Sequence, residues 1–177
     1  MKSLIFDTET TGLIENRSVK LTAQPHVIDF YAALVDLRTG EIEKEWDYLI
    51  KPPKPITAEI TGITGITNEM VDGKPDFAHY APFIKQAIQE APLVIAHNLS
   101  FDKEMIDLEF ERLGQVLTWP SLSCTVEATI HLKGFRLTLS ALHELLFGQS
   151  FSGAHRAKHD VAALIRCAVE LAKRGEI

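Results

Sequence analysis

The order of apolar and polar residues along the chain predicts strands first and helices afterwards. Residues 3–6 form a short apolar run that ends in the polar stretch DTETTG, as expected of a buried strand followed by a turn. Residues 27–37 predict a second strand, and a turn at 38–40 would join it in a hairpin to a third strand at 42–50. Three prolines between positions 52 and 55 then break the sheet pattern.

The second half of the chain carries apolar residues mainly at helical spacing. The pattern predicts a helix over 76–90, a short buried strand over 93–97, and three further helices over 98–113, 138–147 and 156–173. The small tandem repeat TGITGIT, at 61–67, is interpreted as a loop or a helix end. No long linker divides the chain, so residues 1–177 predict one α/β domain with a mixed sheet.

Composition narrows the class of protein. Hydrophobic residues make up 46% and charged residues 24% of the 177 positions, which is typical of a soluble globular domain. We find no apolar run of membrane-spanning length and no secretory signal, and the two cysteines form no CxxC motif. We therefore expect a cytoplasmic protein with no membrane contact. The net charge of −6 argues against a broad basic surface, unless the acids surround bound cations.

Acidic residues supply the first candidate chemistry. Asp7 and Glu9 stand two positions apart at the end of the first predicted strand, so their side chains point to the same face. Like charges at this distance repel one another, which favours a divalent cation between them. The alternative is an ordinary polar turn at the end of a strand, and the pair alone leaves both interpretations open.

Two further acids lean towards apolar helix faces. Asp102 lies in the first turn of a predicted helix, where it either complements the helix dipole or points inwards as a ligand. Asp160 borders the apolar stripe of the last helix, and a carboxylate there needs a partner. With Asp7 and Glu9 they would suit two cations that clamp a phosphate. A histidine would suit the role of base, but AHRAKHD contains both His155 and His159.

Three motifs give this set of residues a family resemblance. FDTETTG, AHNLSFD and HRAKHD occur in order at the start, middle and end of the chain. They resemble the three exonuclease motifs of the DEDDh 3′–5′ exonucleases, the family of the proofreading epsilon subunit of bacterial DNA polymerase III. The resemblance implies a ribonuclease-H-like fold, with a mixed five-stranded sheet flanked by helices. It also implies stepwise release of nucleoside monophosphates from a 3′ end.

The resemblance assigns roles residue by residue. It implies that two Mg²⁺ or Mn²⁺ ions are bound by Asp7, Glu9, Asp102 and Asp160. The family places its base five residues before the last aspartate, so His155 is the implied base and His159 falls in a variable position. The resemblance also implies a set of substrate contacts: Thr10, Thr11, Gly12, Leu13, Glu59, Thr64 and Phe101. Thr64 departs from the epsilon subunit, which has histidine there, and Phe101 has core packing as its alternative.

The resemblance also bears on partners. The expected substrate is a single-stranded or frayed 3′ end, of DNA in preference to RNA, and a polymerase or another replication or repair protein is a candidate partner. The sequence stops at Ile177, directly after the last predicted helix, so a stand-alone nuclease or one that binds its partner through its surface is expected. The alternatives are a 3′–5′ exoribonuclease acting on short RNA and a catalytically silent nucleic-acid-binding module.

Overall fold

The computed structural model describes residues 2–16, 18–149, 151 and 156–177. Within these ranges one sheet of five strands runs in the order β3-β2-β1-β4-β5. The strands are β1 (Lys2–Thr10), β2 (Val27–Asp36), β3 (Glu41–Leu49), β4 (Leu93–Ala96) and β5 (Ser121–Cys124). The first three strands pair antiparallel, whereas β4 pairs in parallel with both β1 and β5. The prediction of a mixed sheet is thereby confirmed.

Seven α-helices accompany the sheet in the described ranges. They are α1 (Ala58–Thr64), α2 (Asn68–Val71), α3 (Phe77–Glu90), α4 (Leu99–Arg112), α5 (Thr125–Lys133), α6 (Leu139–Phe147) and α7 (Ala157–Arg174). A short 3₁₀ helix occupies Leu21–Ala23. Several helix starts follow the expected capping chemistry: Asp76 and Thr138, for example, accept a hydrogen bond from the backbone N–H three residues on. No helix within the described ranges is long and apolar enough to cross a membrane.

Apolar layers cover both faces of the sheet. On one face Phe6 and Phe30 pack in a cluster with α3 and α4. On the other face Ile5 packs with Val161 and Leu164 of α7. Full burial of each such side chain contributes about 1.5–3 kcal/mol, so the two layers fix α4 and α7 firmly against the central strand.

Four elements were not predicted from the sequence, namely α2, α5, β5 and the 3₁₀ helix, and α1 was predicted only as a loop or a helix end. β5 is a short edge strand, SLSC, whose residues are exposed or only partly buried, so it carries no apolar run. In α5 only Thr125, Val126 and Thr129 are buried, and this small, mostly polar face gives no helical stripe. β5 and α5 lie between the second and third motifs, and neither carries one of the clustered acids.

Candidate active site

The carboxyl-terminal end of β1 brings three acids together. Oxygen atoms of Asp7, Glu9 and Asp160 all lie within 4.8 Å of one another. Asp7 and Glu9 share a face of the strand because side chains alternate along it, and Asp160 reaches the same face from the first turn of α7. The apolar stripe of α7 packs against β1 and β2, and this packing sets the approach of Asp160.

Asp102 joins this group from the first turn of α4. The residue is only 3% exposed, and its Oδ1 accepts hydrogen bonds from the backbone N–H of Thr8 at 3.0 Å and from the Thr8 hydroxyl at 2.7 Å. Thr8 lies between Asp7 and Glu9, so these two bonds tie α4 to the strand that carries the pair. The inward orientation predicted for Asp102 is what the structure shows.

Burial and mutual repulsion raise the pKa values of these carboxyl groups. Burial is the main cause for Asp7, and the neighbouring acids raise its pKa further, to well above the ordinary range. Burial, then Asp160 and Asp29, raise the pKa of Glu9 to about 8. The pKa of Asp102 rises to about 7 through burial, although the bonds from Thr8 oppose the shift.

This donor set fits divalent cations. The oxygen ligands that Mg²⁺ and Mn²⁺ prefer are present, and positive charge among them would relieve the repulsion that raises the pKa values. Asp7, Glu9 and Asp160 would hold one cation. The charge of Asp102 also raises the pKa of Asp7, so the carboxylate of Asp102 lies close to this group of acids.

A fifth acid, Asp29, was missed in the sequence. It lies opposite Glu9 in the register of β1 and β2, is 2% exposed, and accepts a hydrogen bond from Nε of Arg156 at 3.3 Å. Burial raises the pKa of Asp29 to about 6, against the opposing effects of Arg156 and of the N–H of Ala157. The signal in the sequence was a single acid inside the apolar run VIDFYAALV.

The implied base lies outside the described residues. His155 falls in the range 152–155, and its place in the structure is therefore not described. The next residue, Arg156, is the N-cap of α7. His159 is exposed in the first turn of the same helix. The assignment of His155 in preference to His159 stays a prediction.

The loop after β1 is held by its own hydrogen bonds. The Thr10 hydroxyl donates to the carbonyl of Gly12 at 2.7 Å. The N–H of Thr11 donates to the carbonyl of His26 at 2.8 Å, and the N–H of His26 donates to the Thr11 hydroxyl at 2.9 Å. These bonds present the backbone at 10–13 in one conformation beside the acids.

Leu13 projects from this loop between two surface pockets. Its side chain is 81% exposed, an unusual position for leucine. One pocket, of about 370 Å³, lies between Leu13 and the half-buried Phe101. The other, of about 300 Å³, lies between Leu13 and a segment that includes Lys54 and Thr57. Leu13 therefore separates two pockets at the surface of the protein.

The two remaining substrate candidates differ in accessibility. Glu59 is exposed in the first turn of α1. Thr64 is only 4% exposed, and its hydroxyl donates to the carbonyl of Ile60 while it accepts from the N–H of Ile66. The Thr64 hydroxyl is thus engaged by the backbone of its own helix end, and its contact with substrate stays a prediction.

His97 and Asn98, at the turn between β4 and α4, have structural contacts. His97 lies within hydrogen-bond distance of the Thr125 hydroxyl and of the Leu137 carbonyl, at 2.9 and 3.1 Å. Burial lowers its pKa to about 4, so the ring stays neutral at physiological pH. Asn98 accepts a hydrogen bond from Arg136 at 2.7 Å. Both residues tie neighbouring loops together.

The chain is similar in sequence to exonucleases and to DNA polymerases. Residues 4–168 match the family model RNase_T, described as an exonuclease. A DNA polymerase III PolC-type protein of Clostridium perfringens is 31% identical over 163 residues, which cover 90% of this chain and 10% of that protein. The corresponding protein of Halalkalibacterium halodurans is 33% identical over 113 residues, 63% of this chain and 7% of that one. The chain thus spans about a tenth of these relatives, or less.

Solved structures of exonucleases also resemble this chain. Exonuclease X, in complex with 5′-overhanging duplex DNA, is 25% identical with a TM-score of 0.66, and the match covers 98% of this chain and 93% of that one. The nuclease domain of 3′hExo, a DEDDh family member bound to rAMP, is 17% identical with a TM-score of 0.79 over 98% and 92%. At that identity the second match shows the fold alone, and it confirms the ribonuclease-H-like fold.

Proposed function

The chain belongs to the exonuclease family, and on that premise we propose that it removes nucleoside monophosphates one at a time from the 3′ end of single-stranded or frayed DNA. The observation that carries the proposal is the convergence of Asp7, Glu9 and Asp160 within 4.8 Å, with Asp102 tied to the same strand. Carboxylates packed this closely suit a site for divalent cations and phosphate.

Two Mg²⁺ or Mn²⁺ ions are the proposed cofactors. Asp7, Glu9 and Asp160 would hold one ion, and Asp102 with Asp7 would hold the other. When bound, the ions stabilise negative charge on the attacking and leaving oxygens of a phosphodiester. Thr8 orients Asp102 through two hydrogen bonds to one oxygen, which leaves the second oxygen of that carboxylate for a cation.

His155 is the proposed general base. An imidazole titrates near neutral pH and can therefore take a proton from the attacking water and pass it to solvent. The support is its position in the chain, one residue before the N-cap of α7 and five before Asp160. His159, which is exposed one residue before Asp160, is proposed to have no part in the reaction.

The terminal nucleotides would bind along the loop after β1. Leu13 would insert between two bases, and Phe101 would stack on the terminal base from the other side of their shared pocket. The backbone of Thr10, Thr11 and Gly12 would meet the terminal sugar and phosphate, and Glu59 would line the path of the strand. Apolar contacts to base faces discriminate little between bases, so we expect low sequence preference.

DNA is the proposed substrate in preference to RNA. Exonuclease X, at 25% identity, was solved in complex with 5′-overhanging duplex DNA, and the curated relatives described above are DNA polymerases of the PolC type. By the same reasoning, a DNA polymerase is the protein partner that we propose, with proofreading of its 3′ ends as the role.

Degradation of labelled oligonucleotides tests the proposal. Single-stranded DNA, duplex DNA and RNA, each labelled at the 5′ end, are incubated with the protein and Mg²⁺, with and without a chelator. We expect a ladder that shortens from the 3′ end on single-stranded DNA and disappears with chelator or in Asp160→Asn. Glu144→Gln, which removes an exposed acid on α6, is the matched control. Retained binding of all three substrates without cleavage would favour a silent binding module instead.

The choice of base is tested by a pair of variants. His155→Ala should lower kcat on single-stranded DNA about a hundredfold, the usual order for loss of a general base. His159→Ala should leave kcat within about twofold, since exposed positions without a role tolerate substitution. A larger loss in His159→Ala than in His155→Ala would overturn the assignment.

A further inference from the structure

The pocket of about 300 Å³ between Leu13 and Lys54, called here the Lys54 pocket, has the lining of a site for one flat ring. Leu13, Pro25 and Pro52 give it apolar walls, and the side chain of His26 belongs to the same lining. Ligand sites in proteins commonly combine apolar walls with a few polar groups, and this volume is at the lower end of their range. The Lys54 pocket therefore suits a ligand no larger than a nucleobase with its sugar.

A buried acid orients the imidazole of His26. Its Nδ1 lies 3.2 Å from Oε1 of Glu109, which also accepts a hydrogen bond from the N–H of Val27 at 2.9 Å. A carboxylate can only accept hydrogen bonds, so Nδ1 donates here and Nε2 of the neutral ring is left as an acceptor. Within the described residues Nε2 makes no hydrogen bond, and the side chain is 18% exposed, so this acceptor is available to a ligand.

Hydrogen bonds hold the walls of the Lys54 pocket in place. Gln24 is 3% exposed, and its side-chain oxygen accepts from the N–H of Glu15 at 2.9 Å. Nη2 of Arg112 donates to the carbonyl of Gln24 at 2.9 Å. On the proline-rich side, Ile56 is fixed by two hydrogen bonds between its backbone and the side chain of Asn68. The pocket is thus formed in advance of a ligand, which lowers the entropic cost of binding.

Two charged side chains in the lining favour one side for a phosphate. Lys54 is exposed and forms no ion pair within the described parts of the chain. Glu15 is also exposed and lines the same pocket, so its charge repels a phosphate. The phosphate of a nucleotide in this pocket is therefore favoured on the side of Lys54.

We propose that the Lys54 pocket is a subsite for the penultimate nucleotide of the substrate strand, where Nε2 of His26 accepts a hydrogen bond from the base and Lys54 contacts the phosphate. The inference rests on the proposed function, in which Leu13 inserts between two bases at the 3′ end. Every DNA base carries an N–H on its Watson–Crick edge, so the contact with His26 adds affinity without selecting one base.

Strands that lack a single base test the subsite with the wild-type protein. Single-stranded DNA carries an abasic tetrahydrofuran nucleotide at either the penultimate or the fifth position from the 3′ end, and release of the terminal nucleotide is followed with Mg²⁺. The penultimate abasic nucleotide should raise KM about tenfold relative to the unmodified strand, the usual order for loss of one stacked base. The abasic nucleotide at the fifth position should leave KM within about twofold. Equal KM values on all of these strands would overturn the subsite.

His26→Asn separates the role of Nε2 from that of Nδ1. The amide of asparagine can replace the Nδ1–H that points to Glu109, but it has no counterpart of Nε2. On the unmodified strand we expect KM to rise about fivefold with kcat within about twofold, the order expected for one hydrogen bond. On the penultimate abasic strand KM should stay within about twofold of wild type, because the partner of Nε2 is missing. An equal rise on both strands would assign His26 a structural role only and overturn its contact with the base; thermal unfolding checks that the variant is folded.

Lys54→Gln tests the phosphate contact through its dependence on salt. The slope of log KM against log salt concentration should fall by about 0.7, the contribution of one phosphate on a single strand, whether or not the penultimate base is present. Lys173→Gln, which removes an exposed lysine from the last turn of α7, is the matched control and should keep the wild-type slope. A wild-type slope in Lys54→Gln would overturn the phosphate contact.

The same experiments separate this inference from the proposed function. A wild-type protein that releases no nucleotide from any of the strands would refute the proposed function itself. Release that proceeds with the same KM whether or not the penultimate base is present would refute the subsite and leave the proposed function standing.

Discussion

Replacing Glu9 with glutamine should stabilise the metal-free protein at alkaline pH and weaken its response to divalent cations. The pKa of Glu9 in the folded protein is raised from 4.5 to about 8, first by burial and then by Asp160 and Asp29. A raised folded pKa means that stability is fully present below the ordinary value and is lost as the pH rises through about 8. Glutamine has no such charge and should escape this loss.

The size of the effect follows from the shift in pKa. One pKa unit corresponds to about 1.36 kcal/mol, so full ionisation of Glu9 corresponds to about 5 kcal/mol in the free energy of unfolding. Water that reaches the half-buried carboxylate screens part of this cost. We therefore expect Glu9→Gln to gain on the order of 2 kcal/mol at about pH 9, and little at about pH 4.

Urea unfolding measures this directly, with chelator present and at both pH values. Glu41→Gln, which replaces an exposed glutamate at the start of β3, is the matched control and should show no comparable gain. With Mg²⁺ in place of chelator, wild type should gain stability through binding, whereas Glu9→Gln should gain much less. A variant that is less stable than wild type at alkaline pH, or that responds equally to Mg²⁺, would refute the reasoning.

Three further outcomes are expected. Thr8→Val removes a hydroxyl that donates to Asp102, and should raise the Mg²⁺ concentration for half-maximal rate several-fold in activity titrations. Thr8→Ser, which keeps the hydroxyl, should resemble wild type. An unchanged Mg²⁺ concentration for half-maximal rate in Thr8→Val would contradict this. Leu13→Ala should raise KM for single-stranded DNA about tenfold, because each stacked base contributes about 1–3 kcal/mol, and Phe101→Ala should raise it less. Unchanged steady-state kinetics in Leu13→Ala would show that Leu13 does not contact the substrate. Arg112→Met removes a buried ion pair with Glu109 at 3.0 Å and the hydrogen bonds from Arg112 to three backbone carbonyls, and should cost about 3–5 kcal/mol in chemical unfolding. A cost below about 1 kcal/mol would show that these contacts are dispensable.

Much of the fold can be predicted from the sequence because the apolar residues of its main elements follow clear patterns. β2 is an almost unbroken apolar run, and the alternation of buried and exposed positions in α7 repeats at helical spacing. β5 and α5 bury few apolar side chains, so they form through pairing with β4 and packing that no local pattern reveals. Strand pairing at the edge of a sheet is a tertiary effect.

The residues of the site also differ in how far the local sequence reveals them. Asp7 and Glu9 are candidates because two acids on one strand face repel one another, but the pair alone also fits a polar turn, and the three motifs together favour a site. Asp29 could not be placed with them from local spacing, because its relation to Glu9 and Arg156 depends on strand register and on where α7 begins. Thr64 was predicted as a substrate contact from the family resemblance alone, and local spacing could not show that its hydroxyl bonds to the backbone of Ile60 and Ile66.

Release of the terminal nucleotide is the most direct test of the central claim that these carboxylates support hydrolysis at a 3′ end. Single-stranded DNA of one sequence is labelled either at its 3′-terminal nucleotide or at its 5′ end, and the products are followed over time with Mg²⁺. We predict that the 3′ label appears at once as a nucleoside 5′-monophosphate, whereas the 5′ label stays on a gradually shortened strand. Asp7→Asn, or chelator with the wild-type protein, should abolish both changes. Early release of the 5′ label as a mononucleotide, or undiminished release in Asp7→Asn, would contradict the account.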